Sequence, residues 1–376
     1  MNLKSLLFSS DEKTVRVLRR VLSDLEVEIE HCLTATEAIR QITRQRFEGI
    51  IVDVLNHEEA SGVLQAAKAA PVNKRALAIV LVESALGMKG GFGMGAHFVL
   101  HKPFTVERAK ASFRAVRALM KRERRVQMRV PVQVPVECYG ADRYRAKTLD
   151  LCEGGMAIQF SARVPKETLL RFALELPGTN QTLEIYGEVA WEGTNDHAGV
   201  RFNNASDEQR NLLRAWLKSQ IPDFEQDDPP VVCRVTDLSC GGCYLATSSP
   251  FPRGTRVTIA LKTAQGEARA KAFVLVAHPE FGMGAEFLQN TPEQTEQAQR
   301  LVEALNSIED ASPEVQVDPE GLETSPESSQ LISTSAAAGA KDDLVELFRN
   351  KFQVSVETFL KQLREQRESP RAATAR

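Results

Sequence analysis

Thr148–Ile158 reads TLDLCEGGMAI, and Val235–Leu245 reads VTDLSCGGCYL. In each, an acid (Asp150, Asp237) stands two residues before a small polar residue (Cys152, Ser239) and five before a glycine (Gly155, Gly242). A second pair of markers, GVRF at Gly199–Phe202 and GAEF at Gly284–Phe287, recurs at nearly the same offset. Each copy then runs into a polar helical stretch, from Ser206 to about Ser219 and from about Pro292 to Asn306. Two markers and a helix returning in the same order are an internal duplication. Around them, VPVQVPVECY, YRAKTLDL, LRFALEL and LEIYGEVAWE are short, alternating and punctuated by Gly, Asn, Thr and Asp, the texture of an antiparallel sheet closed into a small barrel. Two antiparallel β-barrel modules are expected, at 119–222 and 223–308.

Upstream, residues 1–118 have a different rhythm. Leu3–Phe8, Val27–Glu30, Gly49–Leu55, Ala76–Val82 and His97–Leu100 are short apolar runs. Helical patterns separate them, beginning near Lys13 (Leu18, Leu22 and Leu25 on one face) and covering Ala35–Arg46, Ala60–Ala70 and Thr105 to about Lys121. Apolar strands alternating with amphipathic helices predict a doubly wound, five-stranded parallel sheet covered on both faces. Such sheets work at the carboxyl ends of their strands, where Asp53 falls.

Downstream, residues 309–340 hold seven acids and no Lys or Arg, with Pro, Ser, Thr and Ala making up most of the rest, and are expected to form a disordered acidic linker. Val345, Phe348, Phe352, Val356, Phe359 and Leu363 then recur at spacings of three and four, so 341–368 reads as one amphipathic helix. A tethered helix has no core of its own. It must dock back, form a homo-oligomer or bind a partner.

Composition limits the function. A chain of 376 residues fits two or three domains. With 43% hydrophobic and 26% charged residues it is globular in character, and a net charge of −3 argues against coating nucleic acid. No apolar run approaches the ~20 residues of a membrane helix, so no membrane insertion is expected. The start, MNLKSLLFSSDEK, lacks the pattern of a signal peptide. Six Cys in so long a chain are not a disulfide framework, and the reducing cytoplasm is the expected location. No Ser–His–Asp or paired-carboxylate arrangement is visible, so no enzyme is expected and no catalytic residue is assigned.

GIIVDVL around Asp53, and GAHFVLHKPF with Lys102-Pro103-Phe104, resemble the third and fifth strands of response-regulator receiver domains. The resemblance implies Asp53 as phosphoacceptor position and Lys102 as the cation contacting the phosphoryl group. It also exposes departures. Ser9-Ser10 stand where receivers carry an acidic pair for Mg²⁺, with Asp11 and Glu12 just beyond. Hydroxyls are poor ligands for this hard cation, so Mg²⁺ is not expected at the receiver. Leu81-Val82-Glu83 occupies the region of the hydroxyl residue after the fourth strand, with Ser84 next, and the Gly-rich Gly87–Gly95 stands in place of a helix. The domain therefore reads as a pseudoreceiver, an interaction or dimerisation module.

Arg125-Val-Gln-Met-Arg129 is an R-x-x-x-R before the first barrel strand, and Asp150–Gly155 follows the pattern D-x-S-x-x-G with Cys152 for Ser. With EVAWE (Trp191) and AGVRF, these motifs resemble a PilZ domain, the cyclic-di-GMP receptor module. The resemblance implies a cyclic-di-GMP site at Arg125, Arg129 and Asp150, with Arg124, Cys152 and Gly155 contributing. The chemistry suits the residues: Arg forks to phosphate or to guanine O6/N7 and stacks on purines. A thiol is a weaker hydrogen-bonding group than a hydroxyl, which weakens one contact. The second copy keeps Asp237, Ser239 and Gly242, but FEQDDPPVVC (Phe224–Cys233) upstream has no R-x-x-x-R. It reads as a degenerate PilZ module that packs against the first copy or contributes to its site in trans. Cys233, Cys240 and Cys243 lack a fourth ligand nearby, so no metal site is assigned.

The expected whole is a non-enzymatic bacterial signalling protein. It binds cyclic-di-GMP in the first PilZ domain and relays it, by domain reorientation, to a protein partner through the receiver face or terminal helix. The rivals are a ligand-independent oligomerisation scaffold and a response regulator phosphorylated on Asp53.

Overall fold

Leu3–Phe8 (β1) and Gly49–Asp53 (β3) are apolar enough to be buried on both faces, and they sit at the centre of a parallel sheet ordered β2-β1-β3-β4-β5. Its other strands are Val27–Cys32 (β2), Leu77–Glu83 (β4) and Phe98–Lys102 (β5). The helices begin where the sequence supplies caps. Asp11 accepts from the Lys13 amide ahead of α1 (Glu12–Asp24), Thr34 caps α2 (Ala35–Arg44) and Asn56 caps α3 (His57–Ala69). Val106–Gln127 forms α4. This is the flavodoxin-like strand order, with functional groups at the carboxyl edge. In this computed structural model the chain is described at residues 3–83, 91, 93–140, 142–162, 164–179, 181–203, 205–220, 228–263, 266–308, 312–322, 342–351 and 354–368. Ser84 and most of the Gly-rich stretch lie outside the described residues.

The chain divides into two compact units, one built on residues 123–226 and the other on residues 2–122 together with 227–376. The first unit is a barrel of β7 (Pro135–Tyr139), β8 (Arg143–Cys152), β9 (Gly155–Phe160), β10 (Leu169–Glu175), β11 (Thr182–Glu192) and β12 (His197–Asn203). Its order is β8-β7-β10-β11-β12-β9, closed by pairing of β8 with β9, and the short β6 (Val130–Pro131) adds onto β8. Alternating side chains such as Val136, Phe172, Ile185 and Val200 fill the interior, and α5 (Asp207–Gln220) contributes Leu213, Trp216 and Leu217.

The second barrel closes differently. Its strands are β13 (Val231–Leu238), β14 (Gly242–Ala246), β15 (Thr255–Thr263), β16 (Gly266–His278), β17 (Gly282–Phe287) and β18 (Glu314–Leu322), in the order β13-β14-β17-β16-β15-β18. Matching the cycles pairs β13 with β8, β14 with β9, β15 with β10, β16 with β11 and β17 with β12. That leaves β18, after helix α6 (Pro292–Asn306), in the position β7 holds in the first barrel. The second copy is circularly permuted: its first strand comes last.

Two expectations change. Residues 314–322, assigned to the acidic linker, are barrel wall: Val315 and Val317 point inward at the period of two, while Glu314 and Gln316 lie toward solvent. Acidic composition hid a strand that closes a core. The terminal helix is two helices, α7 (Asp343–Lys351) and α8 (Val356–Glu368), and Phe352 lies outside the described residues. Of the three fates open to it, docking is the one seen (below). Within the second unit, the barrel packs against α4. Arg117 and Lys121 pair with Asp228 at 2.9 and 2.8 Å, Arg108 pairs with Glu280, and Arg122 donates to the Glu320 carbonyl at 2.7 Å. Phe113, Val116 and Leu119 of α4 share one contiguous apolar cluster with the barrel interior.

Candidate functional site

In the first barrel, β8 turns into β9 through Glu153-Gly154, with Cys152 opposite Gly155. A bulge at Leu149 shifts the register so that Asp150 faces Ala157. There Asp150 Oδ1 accepts the Ala157 amide at 3.0 Å and the Arg129 guanidinium at 2.5 Å. Pairing of β6 with β8, Val130 opposite Leu151 and Pro131 opposite Asp150, is what brings the R-x-x-x-R segment to the second motif. Arg125 lies in the last turn of α4, and its carbonyl accepts the Met128 amide at 3.0 Å. The basic run is thus a helix end that continues directly into the site. Arg124 also belongs to that last turn.

Gly155 has a structural reason of its own. A Cβ there would sit 2.2 Å from the Val200 carbonyl oxygen, so any side chain would part β9 from β12. Gly242 stands in the same place in the second copy, 2.5 Å from the Ala285 oxygen. Cys152 is buried, and that burial pushes its thiol pKa up, against the nearby Arg129 charge. In the second copy Ser239 bonds the Gly242 carbonyl and amide at 3.1 and 3.0 Å, locking the turn. Beside Ala157, Gly199 carries Trp191 on its backbone: a Cβ would meet the indole Nε1 at 1.9 Å. Trp191 is 45% exposed, and Arg201, opposite Gly155, is exposed on the same face. Asp150, Arg129, Trp191 and Arg201 therefore form one open shelf with two cations, one acid and an aromatic plate. Arg201 was not among the residues expected on this face; its signal was its place in GVRF, where the second copy has Glu286.

At the α/β domain, Asp53 and Lys102 meet as the resemblance implies, Lys102 Nζ to Oδ1 at 2.7 Å. Ser9 Oγ donates to the other carboxylate oxygen at 2.7 Å. Asp11 is spent capping α1: Oδ1 accepts the Lys13 amide at 3.0 Å and Oδ2 the Thr14 hydroxyl at 2.7 Å, and that hydroxyl bond holds its pKa down. With Asp53 satisfied by a lysine and a serine and Asp11 turned into the helix, the residues present do not fit a Mg²⁺ site.

Among the described residues no group of three or more His, Cys, Asp or Glu is placed to hold a metal. Cys233 and Cys243 are buried and their pKa values are pushed up by that burial, Cys233 to about 12, so both are neutral thiols. No helix among the described residues is long and apolar enough to cross a membrane.

The described chain joins an α/β domain of receiver-like strand order to two six-stranded barrels. Residues 123–219 and 221–304 both match the PilZ domain family, so the chain carries two PilZ domains behind a receiver-like domain. The second match stops before β18, as the permutation requires. Among solved structures, the α/β domain is similar to the receiver domain of a sensor histidine kinase from Pseudomonas aeruginosa (21% identity over 32% of this chain and 98% of that one, TM-score 0.28). It is likewise similar to the chemotaxis response regulator CheY4 of Vibrio cholerae (22%, 31% and 99%, 0.28). A PilZ domain of CeSA from a cellulose-synthesising bacterium also matches (21%, 25% and 99%, 0.22). No curated protein matches the sequence.

Proposed function

We propose that this chain is a non-enzymatic, cytoplasmic bacterial signalling protein that binds cyclic-di-GMP on the first PilZ domain, through Arg125, Arg129 and Asp150, with Arg124, Cys152 and Gly155 shaping the site. The observation that carries the reading is the contact between Arg129 and Asp150, which joins two motifs 21 residues apart on an open shelf. The Arg129 side chain is 44% exposed, so it is free to turn onto a phosphate, and Trp191 and Arg201 offer stacking and a second cation.

The relay follows from α4. It is one helix from the receiver-like domain into the R-x-x-x-R, so ligand capture acts on its last turn. The same helix carries the ion pairs to the second barrel. A protein partner would read the change at the receiver face or terminal helices.

Calorimetric titration of cyclic-di-GMP into the full chain, with Arg125→Ala/Arg129→Ala as control, tests the reading. Saturable heat lost in the control supports it, and absence of heat in the wild type overturns it. A phosphorylation switch is the weaker reading, because both oxygens of Asp53 already have close partners and the acidic pair for Mg²⁺ is replaced by Ser9-Ser10.

A further inference from the structure

The face of the second barrel that matches the nucleotide shelf of the first is covered. Register places Tyr244 where the first copy has Ala157, Gly284 for Gly199, Val276 for Trp191 and Glu286 for Arg201. The covering element is the chain's own C-terminus. Asp342 Oδ2 accepts the Gly241 amide of the D-x-S-x-x-G turn at 2.9 Å and lies 3.4 Å from Cys240 Sγ, while Oδ1 caps α7. A Cβ on Gly284 would lie 2.9 Å from the Phe348 ring, Arg349 pairs with Glu286, and the Phe359 ring centroid lies 4.5 Å from that of His278. Phe348 and Phe359 are fully buried, with Leu344 and Leu363 beside them.

Each substitution between the copies suits the change of occupant. Replacing Arg201 by Glu286 turns a phosphate-seeking cation into an arginine-seeking acid. Replacing Ala157 by Tyr244 builds an aromatic floor, and the segment ahead of β13, FEQDDPP, carries no R-x-x-x-R clamp. We propose that the second PilZ domain is a peptide-recognition module that has exchanged nucleotide for a helical ligand, and that its ligand is residues 342–368 of the same chain. The recognition elements are an N-terminal carboxylate for the turn amide, two phenylalanines for the Tyr244–His278 shelf and an arginine for Glu286. This does not depend on the first domain binding cyclic-di-GMP.

The test uses the full chain in two forms. In Asp342→Cys, the introduced thiol faces Cys240, the exposed cysteine. Mild oxidation with diamide should join the two in an intramolecular disulfide within the monomer; exclusively intermolecular linkage overturns docking in cis. In Phe348→Ala/Phe359→Ala, the shelf is opened, and a fluorescent peptide of residues 342–368 should bind in trans. The wild-type chain should bind the same peptide at least about tenfold more weakly, because its tethered segment competes at high effective concentration. A folded double variant that ignores the peptide, or that gains a second equivalent of cyclic-di-GMP, overturns the proposal. Absence of cyclic-di-GMP binding in the wild type, with peptide binding intact in the double variant, refutes the proposed function and leaves this one standing.

Discussion

Arg129→Ala and Asp150→Ala remove opposite ends of one 2.5 Å contact, yet they should behave differently. The side chains are 44% and 25% exposed, so the ion pair itself is screened and contributes ~0–1 kcal/mol. Losing Arg129 should therefore lower the melting temperature of the free protein by a few degrees at most. Asp150 also accepts the Ala157 amide at the bulge. Its loss leaves a partly buried N–H without an acceptor, a cost of ~1–3 kcal/mol. Toward ligand the order reverses. A guanidinium forked onto phosphate contributes ~1.5–3 kcal/mol per charge-assisted bond, one to two decades of affinity. Thermal scans with and without saturating cyclic-di-GMP, joined to calorimetry, read both quantities. Arg129→Ala should melt almost like wild type and lose the ligand shift; Asp150→Ala should melt lower from the outset. If Arg129→Ala melts as low as Asp150→Ala, or keeps the full ligand shift, Arg129 is a structural residue and the site assignment fails.

Further tests follow from other contacts. Beryllofluoride with Mg²⁺ should leave wild-type stability unchanged, while Asp53→Asn, which removes the counter-charge of the half-buried Lys102 but keeps an acceptor for it, should cost ~1–3 kcal/mol in thermal or urea unfolding. Gly155→Ala should unfold the first barrel at lower denaturant than wild type, because its Cβ would collide with the Val200 carbonyl. Val317→Asp places a charge inside the second barrel at the closing strand and should abolish its cooperative transition, whereas Val232→Asp, at an exposed position of the neighbouring strand, should leave that transition in place. Terminal-helix docking should also depend on pH. Burial drives the His278 pKa down from 6.5 to about 4, and Phe359 of the docked helix supplies part of that burial, so between these values the undocked state binds more protons and docking weakens as pH falls. Glu286 opposes this in acid, its pKa being raised by burial, so it takes a proton more readily when docked. Protection factors of residues 343–368 against hydrogen exchange, which allow for the slower intrinsic exchange in acid, should fall from pH 7 to pH 5 in wild type and lose that dependence in His278→Gln.

Much of this architecture was legible because its signals are local. Alternation, glycine-marked turns and two repeated motifs gave both barrels, and apolar runs between amphipathic helices gave the parallel sheet in the right order of elements. That the motifs of Arg129 and Asp150 belong together was legible from their spacing, and the structure brings the two side chains into contact. The miss at 314–322 was physical in origin. EVQVDPEGL carries the period of two in Val315 and Val317, but four of its residues are acids or proline, and composition outweighed pattern. The break between α7 and α8 was invisible because the apolar stripe runs through it unbroken. Arg201 needed register: its neighbour across the ladder, Gly155, is far away in sequence.

The permutation explains more than the topology. In the first copy the strand that enters the barrel, β7, is preceded by the arginine segment, so the clamp is covalently fixed beside Asp150. In the second copy the equivalent strand, β18, enters from the other end of the chain, preceded by α6 and followed within twenty residues by Asp342. Whatever follows β18 is held close to the same barrel, as whatever precedes β7 is held to the first. A basic segment is tethered beside one barrel and an amphipathic pair of helices beside the other, which is the basis of the two different occupants proposed for one fold. Asp150 and Asp237, like Gly155 and Gly242, hold matching register positions, so the two proposed sites share one turn and differ in the segment that lies beside it.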